Sequence, residues 1–506
     1  MAATPDWTPI AVRVTATGLP SHDPLDLYAG LRRTLPEQEV FLFESVAGPA
    51  DDLRTATVGH GRLAELRVFD GYVDIDGLPA LATVLLRAAP GLGLTPAARA
   101  PAPGTVRLFF DHPDRLWRLL ALAREVFRVD TELPDTGYAF GFLATFAYES
   151  CWLMETLPPR TKAPRGPDVT LTLFRDVVRY DLVTGLVHHL RAEGAELPPP
   201  AARPDVAALA RTAAADRLRP AGVPRAPAPL AVRDSVDRET FLAWAERCLE
   251  HIRVGDVYQI QIGHRIDVET ALTPVEVYRR LRDRNPSPYM YLMPRADRML
   301  IGASPELFLR IEGDDITMRP IAGTTRRGPD ETENRQRIKE MRESVKEQAE
   351  HIMLVDLCRN DLGRVCRPST RPVERLMAVE SFSHVFHLVS TVSGSLAEGT
   401  DVWQAVRATF PAGTMSGAPK KRATEIIDSL EREPRGSYAG AVGLVDVRGW
   451  SELALCIRTI EYDGSVYSSQ SSAGMVAQSR PEAEWQETLA KLAAAYWALT
   501  GEELTA

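Results

Sequence analysis

Between Arg238 and the C-terminus the apolar pattern moves between helical and strand periods, but strands and helices do not take turns. Residues 238–251 have the stripe of an amphipathic helix, and 256–266 read as a strand carrying Gln259, Gln261 and His264. Residues 335–354 predict one long helix with Ile338, Met341, Val345 and Ile352 on its apolar side. Two strands then follow at 443–447 and 453–462, and 481–499 form a closing helix with Pro481 in its first turn. This is the pattern of an α+β chain, not of strict β-α-β alternation. There is no internal repeat.

The first part of the chain, 1–191, reads as mixed α/β. Residues 40–43 predict a buried strand ending at Glu44-Ser45, with a turn at Ala47-Gly48-Pro49. Helical periodicity runs over 116–129, and 169–184 read as strand–turn–strand. Residues 192–234 change character: Pro198-Pro199-Pro200, an Ala-rich stretch and Pro224 to Pro229 give a linker composition, with one short helix at 206–218. This segment either separates an N-terminal subdomain from a C-terminal domain at 235–506 or is a long surface loop inside one domain. A length of 506 residues exceeds the ~250–300 at which a single core stops growing, so two lobes or one elaborate fold are required.

Charge and cysteines narrow the functional classes. With 59 Lys plus Arg against 68 Asp plus Glu, the net charge of −9 gives no general attraction to nucleic acid or to anionic membranes. No run approaches the ~18 apolar residues of a membrane span, and residues 1–20 lack the build of a signal peptide. The five cysteines show neither C-x-x-C nor zinc spacing, and read as reduced thiols of a cytoplasmic protein.

Several groups could carry chemistry. Glu347 and Glu350 are three residues apart, as are Glu484 and Glu487, so each pair shares a helix face. Two such faces meeting would suit Mg²⁺; each alone could be a solvated face. The segment Gly413-Thr414-Met415-Ser416-Gly417-Ala418-Pro419-Lys420 is a Gly-rich loop entering a helix, fit for an anion or for a tight turn, but it is not a P-loop. Ser471 to Met475 also lacks bulky side chains. Arg458 stands between apolar neighbours and needs a carboxylate partner from ligand or protein. His384 and His387 could be a zinc pair without an evident third ligand, or core imidazoles. Glu306, amid apolar residues, is either a carboxyl whose burial makes it a general acid or a glutamate at a strand edge.

Together these segments resemble the chorismate-utilising enzymes, most closely anthranilate synthase component I. The resemblance is carried in family order by Gly255-Asp-Val-Tyr-Gln259, Asn285-Pro-Ser-Pro-Tyr-Met290, Ala303-Ser-Pro-Glu306, Arg319-Pro-Ile-Ala-Gly-Thr324, Glu350 to Asp356, Arg359 to Arg364, Ser383 to Leu388, Gly413 to Lys420 and the final P-E-x-E-W-x-E. It implies a large fold of two stacked antiparallel sheets surrounded by helices. It also implies that Glu350 and Glu487 hold Mg²⁺, with Glu347 and Glu484 beside them. Arg458 and Tyr438 would hold the enolpyruvyl carboxylate of chorismate. Ala473, Gly474, Ala322, Gly323, Thr324, Lys420 and the Thr414 loop would frame the substrate. Glu306 would protonate the departing 4-hydroxyl, and His387 would assist a later elimination.

Within the family, Gln259 stands where members that add water carry a lysine, and an amide is no base near neutral pH. Ala322 stands where aminodeoxychorismate synthases carry a lysine that attacks the ring. The resemblance therefore implies ammonia attack at C2, giving anthranilate and pyruvate. The alternative is 2-amino-2-deoxyisochorismate if pyruvate is not lost, and an inactive regulatory homologue is the reading from another class. Ser472 departs from the usual glycine. No cysteine sits on a Gly-x-Cys-x-Gly elbow, so ammonia would come from a partner glutamine amidotransferase or from free ammonium. Glu44, Ser45, Arg54, Pro286, Tyr289 and Met290 resemble a tryptophan feedback pocket.

Overall fold

The computed structural model describes residues 7–200, 202–216, 222–368 and 373–505. Among these, 24 strands join into one hydrogen-bonded network, antiparallel throughout except where Ile10–Leu19 runs parallel to Phe127–Asp130. The architecture is α+β: a large antiparallel sheet system with helices around it. No helix is long and apolar enough to cross a membrane.

The path of the network shows how the chain is put together. The strand Tyr289–Arg295 pairs with Val40–Glu44, which continues through Thr55–Phe69, Val169–Asp181 and Gly141–Phe146 before the sheet returns to Ala441–Asp446. Strands of 1–191 thus lie between strands of 235–506. The network folds back on itself as two layers. Their shared interior is a core made almost wholly of strand side chains: Phe41, Phe43, Leu143, Phe174, Tyr289, Tyr291, Leu300 and Leu444 among them. The other large cores lie between sheet and helices.

Several sequence expectations meet their elements closely, at Val40–Glu44, Arg238–Arg253 and Pro481–Thr500. In the last, the buried stripe Trp485, Thr488, Leu489, Leu492 and Leu499 also takes in Glu484. Four expectations shift. The helix read over 116–129 is Pro113–Glu125, because the aromatic and β-branched residues after it form a short strand. The strand read over 256–266 is Gln259–Glu269. The long helix read over 335–354 is two, Glu331–Glu343 and Val345–Gly363: Ser344 is extended, and its hydroxyl caps the second helix by accepting from the Glu347 amide. The strand read over 453–462 is broken into Ser451–Leu455 and Thr459–Tyr462. In the Pro/Ala-rich segment a helix covers Val206–Asp216, and the remainder read to 218 lies outside the described residues.

One buried ion pair ties the loop side of the molecule to the sheet. Arg435 donates to both oxygens of Glu431, to the Met415 carbonyl at 2.8 Å and to the Gln261 carbonyl at 2.9 Å. It is 3% exposed. Replacing it leaves a buried, unpaired Glu431, so Arg435→Ala is expected to cost about 3–5 kcal/mol. A clearly lowered thermal denaturation midpoint checks this; an unchanged midpoint refutes it.

Candidate active site

The helix Val345–Gly363 packs against Ile321–Arg326 and Val385–Ser395, and the closing helix packs against Tyr467–Met475. These placements bring the carboxylates of both E-x-x-E faces together. Burial raises Glu350 to about 7, helped by the negative charges of Glu347 and Glu487. Burial also raises Glu347 and Glu484, and Glu487 lies close enough to both to raise them further. Glu487 itself is held below its ordinary value: burial works upward, but the Lys491 ammonium, 2.6 Å from Oε1, outweighs it. The donor set is all oxygen and short of positive charge, which fits a hard divalent ion such as Mg²⁺.

Gln259 and Gly474 form the wall beside Glu350. The Gln259 amide donates to Glu350 Oε1 at 3.1 Å, and its own Oε1 is buried without a partner. Gly474 is needed for close approach: a Cβ there would stand 3.0 Å from Gln261 Nε2, 3.1 Å from Gln259 Nε2 and 3.6 Å from Glu350 Oε1. Ala473 is fully buried on the same strand. Gly323, at φ +86°, has Glu347 Oε2 3.3 Å from where its Cβ would be.

Glu306 occupies the gap between Arg298–Ser304 and Leu307–Glu312. It is 6% exposed, and Thr414 donates to its Oε1 at 3.1 Å. Burial lifts its pKa to about 8, so it is mostly protonated at neutral pH. Thr414 lies in the short turn Gly413–Met415.

His387 Nδ1 lies 2.9 Å from Thr324 Oγ1 and 3.3 Å from the Gly323 carbonyl. Burial, then the charge of Arg458, push its pKa to about 4, so the ring is neutral. The Ala322 carbonyl accepts from His351. Arg458 falls in the break between the two late strands, at φ +51°. This is a strained conformation for a side-chain-bearing residue and marks a local constraint. Its guanidinium makes no hydrogen bond or ion pair among the described residues, and burial lowers its pKa.

Tyr438 hydroxyl lies 2.6 Å from Ser472 Oγ, and Ser472 donates to Gln261 Oε1 at 2.9 Å. Sequence reasoning passed over Gln261 in this relay. It also passed over Lys491, which holds both Glu487 and the Ser472 carbonyl; its signal was an i, i+4 spacing from Glu487.

Lys420 is not brought to the cluster. It pairs with Asp361 and the Thr409 carbonyl, beside a cavity of about 610 Å³ lined by Tyr258, Ile352, Met353 and Asp356. The six residues read as a tryptophan pocket are spread over both faces of their strands. Glu44 is clamped by Arg282 and Tyr278, and Met290 packs in the helix-side core. Tyr289 faces the sheet interior and donates to Asp52, whereas Arg54 pairs with Glu312. Ser45 bonds to the carbonyls of Asp52 and Thr55, and Pro286 is half-buried.

A sheet sandwich carrying this cluster defines a class, and the sequence agrees: residues 93–496 match the chorismate binding enzymes, and the chain belongs to that family. Among its relatives is a 2-amino-4-deoxychorismate synthase of Streptomyces globisporus, 46% identical over 98% of both chains. An anthranilate synthase component 1 of Streptomyces coelicolor is 44% identical over 76% of this chain and 77% of its own. The crystal structure of anthranilate synthase component I from Streptococcus pneumoniae superposes with a TM-score of 0.68 at 28% identity, covering 87% of this chain and 92% of that one.

Protons compete with a cation for Glu350, whose pKa stands near 7. Mg²⁺ affinity is therefore expected to weaken as pH falls below 7, by about tenfold per pH unit. Calorimetric titration at pH 6 and pH 8 checks this; equal affinities would refute it.

Proposed function

We propose that the protein aminates chorismate at C2 with loss of the 4-hydroxyl, giving water and 2-amino-4-deoxychorismate, which is 2-amino-2-deoxyisochorismate under another name. The observation that carries the amination reading is the buried, unpartnered Oε1 of Gln259 next to Glu350. An amide oxygen cannot activate water, but it can accept an N–H of ammonia and aim its lone pair.

The chain's residues divide the work. Glu350 and Glu487, with Glu347 and Glu484 beside them, hold Mg²⁺, which when bound neutralises the cluster and receives the ring carboxylate. Arg458 takes the enolpyruvyl carboxylate, aided by Tyr438. As the C2–N bond forms, C1=C2 becomes C1=C6, C5=C6 becomes C4=C5, and the C4–O bond breaks. Glu306, protonated at neutral pH and steadied by Thr414, gives its proton to the leaving oxygen. The incoming nitrogen loses one proton, so Glu306 is restored by solvent exchange after each turnover. Ammonia comes from a separate glutamine amidotransferase or from ammonium, since four of the five cysteines are buried in this chain and none is poised as a nucleophile. These unpaired thiols also suit a cytoplasmic setting.

Retention of the enolpyruvyl group is supported by the chain-length relative, whose name keeps the chorismate skeleton. It is also supported by His387, a weak base at a pKa of about 4. The second reading, anthranilate plus pyruvate, is favoured by the anthranilate synthase relatives and by His387, whose ring makes its hydrogen bonds through Nδ1 and none through Nε2 among the described residues. There the C2 proton would pass to His387 as the C3–O bond breaks. Tryptophan inhibition is not part of the proposal: Glu44, Arg54 and Tyr289 are each engaged by a protein side chain, Arg282, Glu312 and Asp52 in turn.

Incubation with chorismate, Mg²⁺ and ammonium is expected to give the aminated product without pyruvate, read by mass and by lactate dehydrogenase coupling. Stoichiometric pyruvate would establish the second reading, and no amination would end both. Glu306→Gln should lower kcat by about 10²–10⁴-fold, and wild-type activity should decline as pH rises through about 8, where Glu306 loses its proton. Millimolar tryptophan should leave initial rates unchanged; inhibition would show a pocket that the packed residues do not reveal.

A further inference from the structure

A second set of donors meets on three neighbouring strands of the N-terminal half. His60 on Thr55–Phe69 stands directly across from Asp176 on Val169–Asp181. Asp176 is paired on its other side with Arg191 of Val187–Glu193, and His189 lies two residues earlier on that strand, hence on the same face. The ligand atoms of His60, Asp176 and His189 all lie within 4.8 Å of one another. The three residues are 3%, 5% and 9% exposed.

Two of them are satisfied by protein contacts. His189 Nε2 is 2.8 Å from Asp176 Oδ1, and Arg191 Nε donates to the same oxygen at 2.9 Å. His60 is not: its Nε2 is buried and has no hydrogen-bond partner. Buried imidazole nitrogens are normally paired. Burial holds His60 neutral, with a pKa near 4, so the ring has a lone pair to offer rather than a charge to shed. Whichever nitrogen carries the proton, the ring that stands beside the other two groups holds an unserved polar atom.

The donor chemistry is selective. Two imidazoles and one carboxylate suit a borderline ion such as Zn²⁺, whereas an all-oxygen cluster suits Mg²⁺. With bonds of ~2.0–2.1 Å, donors on one tetrahedral ion stand about 3.3 Å apart. The present spacing is thus within reach of modest side-chain rotation. Arg191 is 44% exposed in its side chain and forms the cover, so an ion has a path from solvent.

We propose that His60, Asp176 and His189 bind a divalent first-row transition ion of the Zn²⁺ type, at a structural site separate from the carboxylate cluster. The ion takes the place of the hydrogen bond between His189 Nε2 and Asp176 Oδ1, with the His189 ring in its Nδ1–H tautomer so that Nε2 offers its lone pair. Arg191 remains on Asp176 and orients the carboxylate. The ligands come from three strands, so the ion clips together the part of the sheet that carries 1–191.

The test uses the full chain, stripped with chelator and then equilibrated with micromolar ZnCl₂ in excess Mg²⁺. Wild type and Glu350→Gln are each expected to retain one equivalent of zinc by elemental analysis. His60→Gln and His189→Gln should bind at least tenfold more weakly, and zinc should raise the denaturation midpoint of wild type only among these three ligand-set comparisons. Because a buried-histidine variant can fold poorly, Co²⁺ is loaded into wild type as a second probe. Strong visible absorption of low-coordinate, imidazole-bound cobalt supports the site. Weak octahedral absorption, zinc retention unchanged in His60→Gln, or zinc lost in Glu350→Gln alone would each overturn it.

Discussion

Four clustered carboxylates that repel one another, Glu484 buried, Glu347 and Glu350 half-buried and Glu487 at the exposed rim, are the constraint from which the site follows. Burial and mutual repulsion raise Glu347, Glu350 and Glu484 above their ordinary values, whereas Lys491 holds Glu487 below its own. Proteins do not gather such groups without something to compensate them. The sheet imposes the gathering, since one helix is packed on Ile321–Arg326 and Val385–Ser395 and the other on Tyr467–Met475. On the proposed function, a receptor for an anionic ring arises in this way inside an acidic protein.

Around this cluster each polar group differs in what it still lacks. Glu306 keeps its proton because burial outweighs the hydroxyl of Thr414, which donates to it and favours the charged form. His387 stays neutral because burial and Arg458 both oppose its charge. Arg458 is charged yet unpaired, at a break in the strand pattern. Ser472 closes a relay between Tyr438 and Gln261 where the family resemblance led us to expect a bare backbone. The site therefore offers a proton, an acceptor for N–H and a cationic fork at different points, not a single base.

Much of this was legible in the sequence, because the fold class and the cluster rest on local spacing. The pairs Glu347/Glu350 and Glu484/Glu487 are set by one helical turn, and Glu306 by its apolar neighbours. What escaped depends on long-range packing or on local breaks that periodicity does not record. Met341 and Val345 continue an apolar stripe across Ser344, so the end of one helix and the capped start of the next are hidden. Arg458 lies between β-forming residues, and nothing local marks its positive φ. Lys420 sits in a suggestive loop, but tertiary structure supplies Asp361 as its partner. The motif at Leu42-Phe43-Glu44-Ser45 is intact as a string, yet successive side chains of a strand point to opposite faces, and its members serve different cores.

The interleaving of strands has a consequence for biosynthesis. The strand Val40–Glu44 finds one neighbour early, in Thr55–Phe69, but the other, Tyr289–Arg295, is made some 245 residues later. Gly141–Phe146 waits still longer for Ala441–Asp446. During translation the nascent first half therefore holds open sheet edges that only the last part of the chain can close. Such edges recruit foreign strands, and non-local pairing is slow. Shielding of those edges until the C-terminal strands emerge from the ribosome is therefore a demand that this topology places on folding.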